Sequence, residues 1–251
     1  MVPPLAPVLP QQNEPSIRWE ALPHDVVLPD EPVENLQQPA LAAALTDALG
    51  SAGRIQPQML MGTNFALVAT IDDKWVVKAP DWFYVPSAHP VAAGTIRRSY
   101  APHAEGSTVE IVMEFLSETD GGELSIRSTP PFGKLYFYEQ ILQVATYVTY
   151  DPYRFRLEVR QLIDGCYQAQ RPNAEGRFWI PALQLWLGIW HGERLGQVTH
   201  WLRWWDPNGH LLLWSSEQAL QERQRAEQER QRADALAAKL QELGIDPANL
   251  T

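Results

Sequence analysis

Residues 108–117 read TVEIVMEFLS, and this stretch decides the fold. Ile111, Val112, Met113, Phe115 and Leu116 leave almost no polar face, so the segment asks for burial on both sides. A strand of that kind sits in the middle of a sheet covered by other elements. Two acids interrupt it, Glu110 and Glu114. A carboxylate in such a run is costly to desolvate and requires a cation, a set of hydrogen bonds or a raised pKa. The two acids share a face, but four steps of strand rise separate them by about 13 Å. They cannot both ligate one ion, which leaves Glu110 at a site rim or at a polar strand end.

Upstream, Gln58–Thr70 (QMLMGTNFALVAT) and Lys74–Lys78 (KWVVK) read as strands around a tight turn at Ile71-Asp72-Asp73. Trp82–Val85 reads as a continuation of the second strand beyond Pro80, and Pro86–Gly106 as a long inserted loop. Pro39–Leu49 (PALAAALTDAL) predicts the first helix, stopped by Gly50.

Downstream of the central strand, Ser117–Ile126 is a polar loop. Thr129-Pro130-Pro131 then marks a helix start, with Thr129 as N-cap, running to about Gln143. Thr146–Tyr150 is a further strand. Arg154–Ile163 and Cys166–Arg171 make a hairpin around Asp164-Gly165. Phe178–Trp190 is apolar, and Trp201–Trp205 and His210–Trp214 flank a turn at 206–209. The tryptophans at 179, 186, 190, 201, 204, 205 and 214 lie among aliphatics, which favours packing over base stacking.

The expected organisation is therefore an extended Pro/Gln-rich lead-in over 1–38, a mixed α/β (α+β) domain over 39–214 and a charged helical tail over 215–251. In the tail QERQRAE at 221–227 is followed by QERQRAD at 228–234. Ala219, Ala226, Ala233 and Leu240 recur at heptad spacing, with Leu236 and Leu243 joining near the end. That seam is thin, and it allows either a solvated single helix or a homodimeric coiled coil over 217–243.

Net charge is −10 for the 251 residues, which opposes nucleic-acid binding at first sight. Its distribution softens the objection: residues 1–36 carry −5, 217–251 carry −2 and the middle only −3. Arg97, Arg98, His103, Arg127 and Lys134 fall within that middle part. Cys166 is the sole cysteine, so no internal disulfide or multi-cysteine metal site can form. No basic leader or membrane-length apolar run is visible, and a cytoplasmic location is expected. No phosphate-loop, dinucleotide or nucleophile motif appears, and the histidines show no metal-ligand spacing.

Three residues form the sharpest candidate site: Asp81 after Pro80, Glu114 in the central strand and Lys134 in the following helix. Asp81 and Glu114 on neighbouring strands could share one Mg²⁺, which takes a few hard oxygens and keeps several waters. Lys134 would bring positive charge to a developing phosphorane or orient the water. Tyr138 lies four residues on, on the same helical face, and could orient Lys134 or Glu114.

At these residues the chain resembles a known group. Lys78-Ala79-Pro80-Asp81-Trp82-Phe83 is similar to the basic-x-Pro-Asp strand of the bacterial Uma-two restriction endonucleases, in the PD-(D/E)xK nuclease superfamily. Residues 110–117 resemble its acid-x-apolar-x-Glu strand, Lys134 to Tyr138 its Lys-x-x-x-Tyr helix, and 146–152 (TYVTYDP) the strand ending in Asp-Pro.

The likeness covers about residues 35–190. It implies a restriction-endonuclease-like mixed sheet flanked by helices, cutting DNA with Mg²⁺ or Mn²⁺. Asp81 matches the first acid and Glu114 the second. Leu116 stands where the superfamily's usual lysine would be, and the family's helix lysine maps to Lys134. Lys78 and Glu110 match accessory positions, Glu110 standing where the family usually has Asp after Pro.

Two other classes compete. One is a catalytically degenerate nuclease fold acting as an adaptor through its C-terminal helix. The other is carbohydrate hydrolysis by paired carboxylates beside tryptophans, which requires the two acids about 5–9.5 Å apart in an open cleft.

Overall fold

The computed structural model describes residues 16–20, 37–116 and 124–242. Most of the 1–38 lead-in, most of the loop after Ser117, and Leu243 and Gly244 of the tail lie outside the described residues. Two compact units emerge, one of residues 1–38 and 57–171 and one of 39–56 and 172–251. Each is described by itself.

The first unit holds two sheets. In chain order its strands are β1 (Ile17–Arg18), β2 (Leu60–Gly62), β3 (Ala66–Ile71), β4 (Lys74–Lys78), β5 (Trp82–Val85), β6 (Ser99–Tyr100), β7 (Ile111–Phe115), β8 (Thr146–Asp151), β9 (Arg156–Ile163) and β10 (Cys166–Ala169). Six of them form a sheet in the order β10-β9-β8-β7-β5-β2. β7 runs parallel to β8 and antiparallel to β5, so the sheet is mixed. Every residue of β7 is buried, as its two apolar faces require. β1, β3, β4 and β6 make the smaller sheet, with β4 at one edge.

The turn at Asp72-Asp73 has both residues at positive φ, 48° and 60°. The Asp164-Gly165 turn repeats the arrangement at 51° and 79°. Two successive positive φ values match the right-handed twist of the flanking strands, and Asp and Gly tolerate them best.

Several expectations need correction. Gln58–Thr70 is not one strand but β2 and β3, in different sheets. Trp82–Val85 does not extend β4; it enters the other sheet. Pro80 has no N–H to donate to a ladder, its carbonyl accepts from Asn64 N at 2.9 Å, and the chain changes sheets there.

The 86–106 segment is not a plain loop. β6 pairs with β3, the Arg97–Glu105 ion pair closes the segment at 2.5 Å, and Tyr100 donates to Ser107 O at 2.5 Å.

The helix expected from Thr129 begins only at Lys134. It comprises one turn (α2, Lys134–Tyr136) followed by a π-turn over Phe137–Ile141. Thr129 and Pro130 each precede a proline, which disfavours helical backbone at both, so Gly133 takes the N-cap position without a side-chain cap. The packing core of this unit gathers Leu67, Phe83, Val112, Phe137, Tyr138 and Tyr147.

The second unit carries most of helix α1 (Gln37–Ser51), a meander of β11 (Phe178–Ile180), β12 (Leu185–Arg194) and β13 (Gln197–Trp205), and helix α3 (Ser215–Glu242). Residues 210–214 add only a bridge between Leu211 and Trp205 rather than the expected strand. The tryptophans pack, as their setting suggested. Trp201, Trp204 and Trp214 are buried, and the last two donate their indole N–H groups to Leu45 O at 3.2 Å and Ala44 O at 3.0 Å.

Arg203 is wholly buried, 3.4 Å over the Trp214 ring, and reaches Glu217 of α3 at 2.6 Å. From Ala219 to Leu236 α3 is exposed on every side.

Candidate active site

The pairing of β5 with β7 sets Trp82 opposite Met113 and Phe83 opposite Val112. Asp81 is the residue just before β5, at the end of the ladder where Glu114 lies on β7, close enough to act on the Glu114 carboxyl. The strand ends are stitched by Phe115 N, which donates to Asp81 Oδ2 at 2.5 Å. Glu114 is 1% exposed. Burial among apolar side chains pushes its carboxyl up to about 8, with Lys134 pulling it down, Asp81 pushing it further up and Tyr138 pulling it down.

Lys134 starts α2 and places Nζ 3.2 Å from Glu114 Oε2. Tyr138, in the π-turn, donates its hydroxyl to Glu114 Oε1 at 2.8 Å. Burial and the neighbouring Glu114 carboxylate hold the Tyr138 phenol well above its ordinary range. Tyr138 in turn lies against Tyr147 of β8, ring centroids 5.5 Å apart, and Tyr147 stacks on Tyr167. That aromatic column backs Glu114 with a rigid wall.

Asp81, Glu114, Lys134 and Tyr138 therefore meet at one place. Glu110 does not join them: its carboxylate accepts from Thr108 Oγ1 at 3.2 Å and acts on Tyr84, whose phenol it helps to raise. Lys78 closes β4 three residues before Asp81 and is half-buried. Of the basic residues noted nearby, Arg97 is committed to Glu105.

Two polar neighbours were not legible as site residues. Gln38, buried at the start of α1, donates Nε2 to Phe115 O at 2.7 Å and steadies the end of β7 next to Glu114. Its only sequence signal was a polar residue directly before Pro39 at a helix start. Thr149 on β8 is paired in register with Glu114 and accepts from Arg160 at 3.5 Å.

The described residues contain no group of three or more His, Cys, Asp or Glu placed to hold an ion. Two neighbouring carboxylates remain. Burial first and Asp81 to a lesser degree keep Glu114 from ionising, and a divalent cation at the two carboxylates would offset both. Two hard oxygen donors with water completing the shell suit Mg²⁺ or Mn²⁺ and not a tetrahedral nitrogen–sulfur site.

The Uma2 family, described as "Putative restriction endonuclease", matches residues 8–205, well over half of the chain. The chain belongs to that family, a class of restriction-endonuclease-like proteins built on a mixed sheet. No curated protein matches the chain. Among the described residues no helix is long and apolar enough to cross a membrane.

Proposed function

We propose that this protein is a metal-dependent endonuclease that hydrolyses DNA phosphodiester bonds at Asp81, Glu114 and Lys134. One observation carries the reading: a fully buried glutamate lies 3.2 Å from a lysine ammonium, beside an aspartate that is anchored on the neighbouring Phe115 N and acts on its carboxyl. A buried acid kept only for structure is usually matched by one cation. Here a second acid lies close enough to help raise it, and a further cation would favour the ionised form of both.

Asp81 and Glu114 would hold Mg²⁺ or Mn²⁺, which when bound polarises the phosphodiester and acidifies a water. Phe115 N holds Asp81 and Tyr138 holds Glu114, so both carboxylates are oriented before an ion arrives. Lys134 stands beside the pair with its charge directed at the negative charge that grows on the phosphorane oxygens. Water oxygen bonds to phosphorus, the ester P–O bond breaks, and the departing oxygen takes up a proton.

The test is nicking of supercoiled plasmid with Mg²⁺ or Mn²⁺ by the native chain and by Glu114→Gln. Nicking by the native chain alone is expected. Equal cutting by both would overturn the assignment.

A further inference from the structure

Beside the candidate site the first unit carries a groove of about 310 Å³ that none of the chemistry above uses. One wall is the edge strand β4, contributing Lys74, Trp75, Val77 and Lys78; the other is Pro131 and Phe132. Trp75 is 45% exposed although it sits among aliphatics on a strand. We infer that this groove holds a short stretch of the DNA strand being cut, with one base on Trp75 and phosphates of that stretch on Lys74 and Lys78. This rests on the endonuclease reading.

Continuity with the site is the first argument. β4 runs through Ala79 and Pro80 into Asp81, three residues beyond Lys78. The opposite wall runs through Gly133 into Lys134, two residues beyond Phe132. At no more than about 3.6 Å per residue the near ends of the two walls, Lys78 and Phe132, lie within about 11 Å of Asp81 and 7 Å of Lys134. A DNA strand advances about 3.4 Å per nucleotide, so that end of the groove lies within a few nucleotides of the reacting phosphate.

Charge is the second argument. Lys74 and Lys78 share one face of β4 and Trp75 lies on the other; all three line the groove at the edge of the sheet, the lysines about 13 Å apart by strand rise. The acids of the adjoining turn are already engaged. Asp72 Oδ1 accepts from Ser16 N at 3.0 Å, and Asp73 is ion-paired with Arg18. An aromatic side chain with cations bordering the same groove is how sequence-tolerant sites hold a single strand.

A competing explanation is that lysines merely guard a bare sheet edge against pairing with another chain.

The experiment uses the full chain in EDTA, where no cleavage occurs, and a fluorescein-labelled oligothymidine of twelve nucleotides read by anisotropy. Trp75→Ala should weaken binding about tenfold, and Trp75→Phe should restore it to within about threefold. Lys74→Ala and Lys78→Ala should each lower the slope of log affinity against log salt by about 0.7. Trp75 is half exposed, and thermal melts of each variant check that the fold survives.

Absence of binding by the native chain, or equal binding by native, Ala and Phe forms, would overturn the inference. So would self-association of Trp75→Ala by light scattering with DNA binding intact, the edge-guard result. Plasmid nicking is scored separately: Trp75-dependent binding without any nicking sinks the catalytic reading and leaves the groove standing. Nicking with Trp75-independent binding does the reverse.

Discussion

The hydroxyl of Tyr138 donates to Glu114 Oε1 at 2.8 Å, while Lys134, one turn earlier, takes the other oxygen. The two residues occupy one helical face, and between them they account for both oxygens of a carboxylate that has almost no contact with water. The phenol positions the Glu114 carboxylate.

Replacing Tyr138 with Phe removes that donor and leaves a buried acceptor unmet. Stability should fall by about 1–3 kcal/mol, measured by urea unfolding. Because the phenol helps to hold the Glu114 carboxyl down, its loss raises that carboxyl further, and the ion should bind about 10–100-fold more weakly by calorimetry. An unaltered ion affinity would show that Tyr138 does no more than pack.

Glu114 also sets a pH dependence for the metal-free chain. Its carboxyl is raised to about 8 in the fold, against an ordinary value of 4.5. Between those values the folded form keeps a proton that the unfolded chain releases, so stability falls as pH rises through that window. The melting temperature in EDTA should decline from about pH 5 to pH 8, and Glu114→Gln, which cannot ionise, should flatten that decline. A native profile that rises over the same range would contradict the burial argument.

Lys134→Ala removes the ammonium at 3.2 Å from Glu114. If that charge acts on the growing phosphorane, nicking should drop by about 10²–10³-fold. Oligonucleotide binding in EDTA should change far less, because one cation among several is lost. A parallel loss of both would recast Lys134 as a substrate anchor.

In the second unit, the wholly buried Arg203 guanidinium is held by Glu217 at 2.6 Å and by the rings of Trp190 and Trp214. Glu217→Gln strands that charge and should cost about 3–5 kcal/mol in chemical unfolding. An Arg203→Met, Glu217→Gln double variant should recover part of the loss, since the unpaired charge goes with it. A single-variant cost under about 1 kcal/mol would mean the tryptophans alone satisfy the arginine.

The heptads of α3 place Glu222 and Glu229 three residues after Ala219 and Ala226, where a coiled coil would want leucines. Light scattering should give a monomer mass at micromolar concentration, with the helix held by its own ion pairs such as Glu227 with Arg230 at 3.2 Å. A dimer mass that reverts on deleting 219–251 would instead favour the adaptor reading.

Much of this could be read from residue order, and the gaps have physical causes. Lys74–Lys78 and Trp82–Val85 were legible to the residue, because alternation and flanking turn residues are local signals. That the two belong to different sheets was not, since partner choice depends on residues far along the chain. The one-turn α2 was overdrawn because a proline pair reads as a helix start, whereas its effect on the preceding residue delays the helix. That Asp81 and Glu114 come close came through as a possibility only, because the pairing of β5 with β7 that brings their ends together is not a local signal. Gln38 acts on Phe115 across 77 positions and leaves no local trace.

The β5–β7 register also says where the chain can change length over evolutionary time. Twenty-five residues connect Val85 to Ile111, and the exposed stretch before β6 could lengthen without moving either carboxylate. A single residue gained between Asp81 and Val85 would turn Asp81 to the far side of the sheet and abolish the pair. Descendants of this chain are therefore free to grow new surface in the connector, and bound to keep the spacing of the short strand that precedes it.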